Sequence, residues 1–140
     1  MTAESLKDGL AIQKEIFGIE FPQRALDNTT PLTRPYHELL VSFTFGEVWK
    51  RDVFSRSERS LVTLAMLIAL NRPDQIRTHV RGALNNGVPK EKIFELAIHA
   101  LAYCGAPLAG SARNTIIEEL QKLGLEPAPA QPAIAPTVKK

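Results

Sequence analysis

Cysteine is nearly absent from this 140-residue chain: Cys104 has no second thiol to pair with. An intramolecular disulfide and a cysteine-based zinc site are thereby excluded, and a lone cysteine of this kind reads as a small buried hydrophobe. Charge of one sign is lacking too. The 17 basic and 15 acidic residues interleave to a net +2, which leaves no continuous positive surface for a nucleic acid. Long apolar runs are missing: the longest, Leu61 to Leu70 interrupted by Thr63, falls far short of the roughly 20 residues that cross a bilayer. The opening Met-Thr-Ala-Glu-Ser-Leu-Lys-Asp-Gly has no basic segment followed by an apolar stretch, so a secretory signal is not expected and a cytoplasmic location is. There is no Gly-rich phosphate loop, no His-Glu-x-x-His pair and no Gly-x-Ser-x-Gly elbow.

What is present suits one globular domain: 44% hydrophobic and 23% charged residues, with strand signals scarce and helix start and stop signals recurring. The expectation is an all-α, oligomeric bundle of about six helices over residues 1–125, followed by a Pro/Ala-rich tail over 126–140. The first helix spans about Glu4 to Phe17, with Leu6, Leu10, Ile12 and Ile16 inward. The second begins after Pro31 or Pro35 and carries Leu39, Leu40, Phe43 and Phe45 to Trp49, with Gly46 as a place of close backbone approach. Ser55 and Glu58 have capping-box spacing, so a third helix starts there and reaches about Asn71. Its stretch from Leu61 to Leu70 is apolar on nearly every side, as for a helix packed all round.

Pro73 opens a fourth helix and Asn86-Gly87 closes it. On it Ile76, His79, Val80, Ala83 and Leu84 follow helical spacing, which puts His79 on the buried stripe. Pro89 opens a fifth, with one apolar face through Ile93, Phe94, Ala97, Ile98 and Leu101 and a second stripe through Leu96, His99 and Tyr103. Two apolar faces on one helix imply a subunit contact. A sixth follows Gly105 and Pro107 to about Leu123, ended by Gly124. From Glu126 onward the prolines favour extended chain, either a free end or a strap on a neighbouring subunit.

An imidazole on a buried stripe is either a core histidine satisfied by one hydrogen bond or a group facing a cavity. The company of His79 favours chemistry: Glu47, Trp49, Arg51, Arg59, His99 and Tyr103 all fall at helix ends or inward faces. A carboxylate, two imidazoles and guanidinium forks suit an acid/base site that grips a carboxylate. Arg56, Arg72 and Arg77 read as solvated surface, and His37 as an exposed helix residue.

Phe45-Gly46-Glu47-Val48-Trp49-Lys50-Arg51, then Arg59-Ser60-Leu61, then His79 through Val88, then His99 with Tyr103-Cys104-Gly105-Ala106-Pro107, together resemble the carboxymuconolactone decarboxylase family. The likeness runs in unbroken order from about Leu10 to Leu123. Peroxidase-like relatives place a Cys-x-x-Cys pair where this chain has Arg72 and Gln75, so the resemblance does not extend to disulfide chemistry. After Arg51 the usual Pro-Gly-Leu is replaced by Asp52-Val53-Phe54.

The resemblance implies decarboxylation of 4-carboxymuconolactone, or of a close carboxylated lactone or keto acid, with no metal and no cofactor, because the departing electron pair can spread to the lactone carbonyl. It implies His79 and Glu47 as catalytic groups, Arg51 and Arg59 as clamps on a small anionic lactone, and Trp49, His99 and Tyr103 as pocket lining. It further implies a hexamer of identical chains. A non-catalytic oligomeric module that binds a carboxylate in the same pocket is the rival expectation.

Overall fold

Thr2 and Ser55 begin two helices in the same way: each hydroxyl accepts from the amide three residues on, and the side chain there, Ser5 or Glu58, accepts from the cap's own amide. Such boxes satisfy amides that a helix start leaves free. The computed structural model describes residues 1–131 and 135–139. Among them it forms seven α-helices: α1 (Ala3–Phe17), α2 (Phe21–Asp27), α3 (Arg34–Leu40), α4 (Arg56–Ala69), α5 (Pro73–Asn85), α6 (Lys90–Cys104) and α7 (Ala106–Lys122). Helix α3 runs directly into a π-helical segment, Val41–Trp49.

The expected count of six is therefore corrected to seven. The addition is α2, which has Pro22 in its first turn and only seven residues, too few for a periodic apolar pattern to declare itself. The π segment also departs from expectation. Its buried residues Val41, Ser42, Phe45, Gly46 and Trp49 recur every four positions, wider than the 3.6 of an α-helix. Of the apolar residues that this stretch carries, Leu39, Leu40 and Phe43 are exposed.

Two apolar clusters organise the molecule. The larger joins α4 to α7 through side chains such as Leu64, Ile68, Ile76, Val80, Ile93, Ala97, Ile116 and Leu120. The smaller joins α1 to the π segment through Ile12, Ile16, Phe45 and Trp49, with Phe17 packed against it. This second pair is antiparallel and very close: a Cβ on Gly46 would lie 1.9 Å from the Ser5 carbonyl oxygen, and one on Gly9 2.4 Å from that of Val41. Only glycine fits at either place.

Helix α4 is not enclosed as its sequence suggests. Ser60, Leu64 and Ile68 are buried, but Val62, Met66 and Leu70 are exposed, because its neighbours α5, α6 and α7 cover one side only. On α6, Ile93, Ala97 and Ala100 are buried while Ile98, Leu101 and Tyr103 stand out. In the tail, residues 132–134 and 140 lie outside the described residues, and the described part contains no helix or strand. Its start is fixed by Lys90 Nζ, which donates to the Leu125 carbonyl at 2.7 Å and to Glu126 at 3.0 Å.

Candidate functional site

Helix α5 lies between the two clusters. Its Ile76, Val80 and Ala83 face the larger one, while His79 is turned toward α1 and the π segment. There Phe17 meets the imidazole edge to face, with ring centroids 5.2 Å apart and planes at 84°, and Trp49 lies stacked at 6.3 Å and 30°. Phe45 continues the aromatic wall, 5.8 Å from Phe17 and 5.9 Å from Trp49. Among the described residues no group hydrogen-bonds the ring, which leaves its nitrogens without a protein partner. Burial pushes its pKa down from 6.5 to about 4, because a charged imidazolium loses hydration in this apolar seam. At neutral pH His79 carries one N–H donor and one bare nitrogen.

Trp49 links this ring to a group of cations. Its carbonyl accepts from Arg56, whose other guanidinium nitrogen lies 3.5 Å from Glu15. Arg59, one turn further along α4, donates to the Arg51 carbonyl at 3.0 Å and lies over the Phe54 ring at 5.5 Å. Its Nε is buried and has no partner among the described residues. Burial first, then repulsion by Arg56 and by Arg51, lowers the Arg59 pKa from its ordinary value. Three guanidinium groups thus gather at the start of α4, beside the exposed carboxylates of Glu15, Asp52 and Glu58, and their forks suit an arriving anion.

The structure therefore brings together His79 and Trp49, and Arg51 and Arg59, with Trp49 joining the two groups through Arg56. It does not bring Glu47 to His79. Glu47 is exposed and accepts from the Ser5 hydroxyl, since a position two residues before the buried Trp49 points to the other side of its helix. His99 and Tyr103 pair with each other at 5.0 Å on the outer face of α6, beside a depression of about 290 Å³ also lined by Ala65, Ile68 and Leu96. Among the described residues no three His, Cys, Asp or Glu side chains gather as metal ligands.

Three readings of single residues change. Arg56 is engaged with Trp49 rather than merely solvated, Arg77 pairs with Asp74 at 3.1 Å and Glu118 at 3.3 Å, and His37 is half-buried with its Nε2 unpartnered. Phe17 was not among the expected site residues. Its only sequence signal is its place in the last turn of an amphipathic helix, before Gly18.

Residues 34–117 match the model of the carboxymuconolactone decarboxylase family. The chain is 37% identical over 121 residues to the 4-carboxymuconolactone decarboxylase of Acinetobacter baylyi, an alignment covering 86% of this chain and 90% of that protein. It is 41% identical over 100 residues to the nitrosuccinic acid decarboxylase of Metarhizium robertsii, covering 71% of this chain and 70% of that one. A more distant likeness, 28% over 92 residues, is to peroxisomal protein 2 of Schizosaccharomyces pombe, covering 63% and 43%.

Proposed function

Because this chain belongs to the carboxymuconolactone decarboxylase family, we propose that it is a carboxy-lyase that converts 4-carboxymuconolactone, or a close carboxylated lactone, to the enol-lactone of protocatechuate breakdown. The observation that carries this reading is the linkage, through Trp49, of a neutral, aromatic-walled imidazole to a cluster of three arginines.

The reaction breaks the bond between the ring carbon and its carboxylate. Carbon dioxide leaves, the electron pair spreads through the ring double bond to the lactone carbonyl, and a proton is then added at carbon. The substrate is its own electron sink, so the protein has three tasks. Arg51 and Arg59 hold the carboxylates as fixed forks, with Arg56 adding positive charge. The apolar wall of Phe17, Phe45 and Trp49 removes water from the carboxylate that must depart. His79 donates its N–H to the developing dienolate oxygen, an interaction of a kind worth about 10²–10³ in rate. A bound dianion also raises the imidazole pKa, which equips the same ring to pass on a proton. Glu47, held by Ser5, takes the lesser part of restoring the proton balance with solvent.

We place the catalytic domain at residues 1–125 with 126–140 as an appended tail, and the protein in the cytoplasm as a hexamer of identical chains. The exposed apolar residues of α4 and α6 support self-association. His99 and Tyr103 line a substrate pocket only where another protomer meets that face.

The Metarhizium relative favours a second reading, in which the substrate is another dianionic acid whose carbanion is stabilised by an adjacent oxygen-bearing group. One assay tests both: carbon dioxide release by chelator-treated protein from 4-carboxymuconolactone and from nitrosuccinic acid. Faster release from the lactone is expected, faster release from the nitro acid selects the second reading, and saturable binding without release from either makes the protein a carboxylate-binding module.

A further inference from the structure

Phe17 ends α1, and three separate features fix its ring. The Asn85 side-chain amide donates to the Ile16 carbonyl at 2.8 Å, which ties the last turn of α1 to α5. Gly82, one turn after His79, leaves the space that Phe17 occupies: a Cβ there would lie 2.9 Å from Phe17 Cε1 and 2.8 Å from Ile16 Cγ2. Phe21, in the first turn of α2, backs the ring at 4.7 Å. One side of Phe17 faces the His79 imidazole. The ring also lines a groove of about 350 Å³ whose other walls carry Asp74, Arg77, Arg81 and Glu119.

We propose that Phe17 is a positioning residue for decarboxylation: its ring, seated by Gly82 and the Asn85 clamp, orients the His79 imidazole and walls it off from the charged groove between α5 and α7. This rests on the reading of His79 as the reacting imidazole. The charged groups on the elements around that imidazole include Asp8, Lys14 and Glu15 on α1, Glu47 on the π segment with Lys50 and Arg51 after it, Arg56, Glu58 and Arg59 on α4, Asp74, Arg77 and Arg81 on α5, and Glu118 and Glu119 on α7. Burial alone accounts for the low pKa of His79, so an apolar wall rather than a neighbouring charge keeps it neutral. Without the ring, groove water reaches the imidazole and releases it from its setting between the stacked Trp49 and the edge-on Phe17.

The test follows the His79 ring protons by NMR through an acid titration, in wild type and in Phe17→Ala, Phe17→Leu and Gly82→Ala, with kcat and KM measured on the same samples. The wild-type midpoint is expected at about 4. Phe17→Ala should raise it by at least about one pH unit toward the ordinary histidine value. The same variant should lower kcat about tenfold while KM changes less than about threefold, because orientation and not substrate grip is lost. Phe17→Leu keeps apolar bulk and should hold the midpoint low while recovering part of kcat. Gly82→Ala pushes the ring aside without deleting it and should raise the midpoint, which decides the matter if Phe17→Ala does not fold. A folded Phe17→Ala or Gly82→Ala protein with an unmoved midpoint overturns the wall, and a moved midpoint with unchanged kcat overturns the catalytic role. An inactive wild type would defeat the proposed function separately, and the titration would still decide the wall.

Discussion

His79 and His99 look alike in the sequence, each an imidazole on an apolar stripe of its helix, yet the fold gives them opposite surroundings. His79 is covered by Phe17 and Trp49, side chains that arrive from a different part of the chain. His99 keeps only Tyr103, from its own helix, and is exposed. A stripe reports that a residue points toward something; which element arrives, and whether it brings rings, charges or another protomer, is decided by tertiary structure.

The widest separation between the two should appear in turnover. His79→Ala is expected to lower kcat by at least about 10²-fold, the range for loss of a positioned donor or proton carrier, and His99→Ala to change it less than about threefold. Steady-state kinetics on both decides, and equal losses would mean that assembly carries His99 into a working site.

Acid stability is the next largest contrast. The folded pKa of His79 is about 4 against 6.5 unfolded, so the unfolded chain binds the proton more readily. Stability is therefore full above about pH 6.5 and falls by at most about 3 kcal/mol toward pH 4, as the proton that the unfolded chain binds is denied to the half-buried ring. Urea melts between pH 7 and 4 should show this slope in wild type and a shallower one in His79→Leu, with His99→Leu following wild type.

The cation cluster is expected to act through geometry. Arg51→Lys keeps the charge but loses the fork, and should raise KM about tenfold with a smaller change in kcat. Unchanged KM and kcat would remove Arg51 from the site. Arg59→Lys is a mixed case, since it also breaks the hydrogen bond to the Arg51 carbonyl and the contact with Phe54. The smallest effect is expected from truncation after Leu125. Circular dichroism and melting should be nearly unchanged, because among the described residues the removed tail hydrogen-bonds the helices only through Glu126 to Lys90 and Pro127 to Gln121. Light scattering on the same sample should keep the oligomer, and its loss would show the tail to be a strap.

Much of this was legible in the residues. The boxes at Ser55 and Glu58, the Pro73 start and the Gly87 and Gly124 stops are local chemistry, and the helices they bound fall where expected. His79 on its stripe, and Trp49, Arg51 and Arg59 near one another, were equally readable. The π widening was not: it accompanies the close approach of two backbones at Gly9 and Gly46, a tertiary contact without a local signal of its own. Glu47 was read toward His79 because sequence proximity to Trp49 hides the half-turn between them. Phe17 escaped notice because it joins the site only when α1 packs against α5, and Arg56 was read as solvated surface because no local signal marks its bond to the Trp49 carbonyl.

Whether His79 at the seam between the two clusters does chemistry or packing is decided by measuring melting and carbon dioxide release on one preparation of His79→Ala. The account predicts a protein that melts within a few degrees of wild type and turns over at least about 10²-fold more slowly. A variant that melts early yet releases carbon dioxide at a near-normal rate while folded would make His79 a core histidine and contradict it.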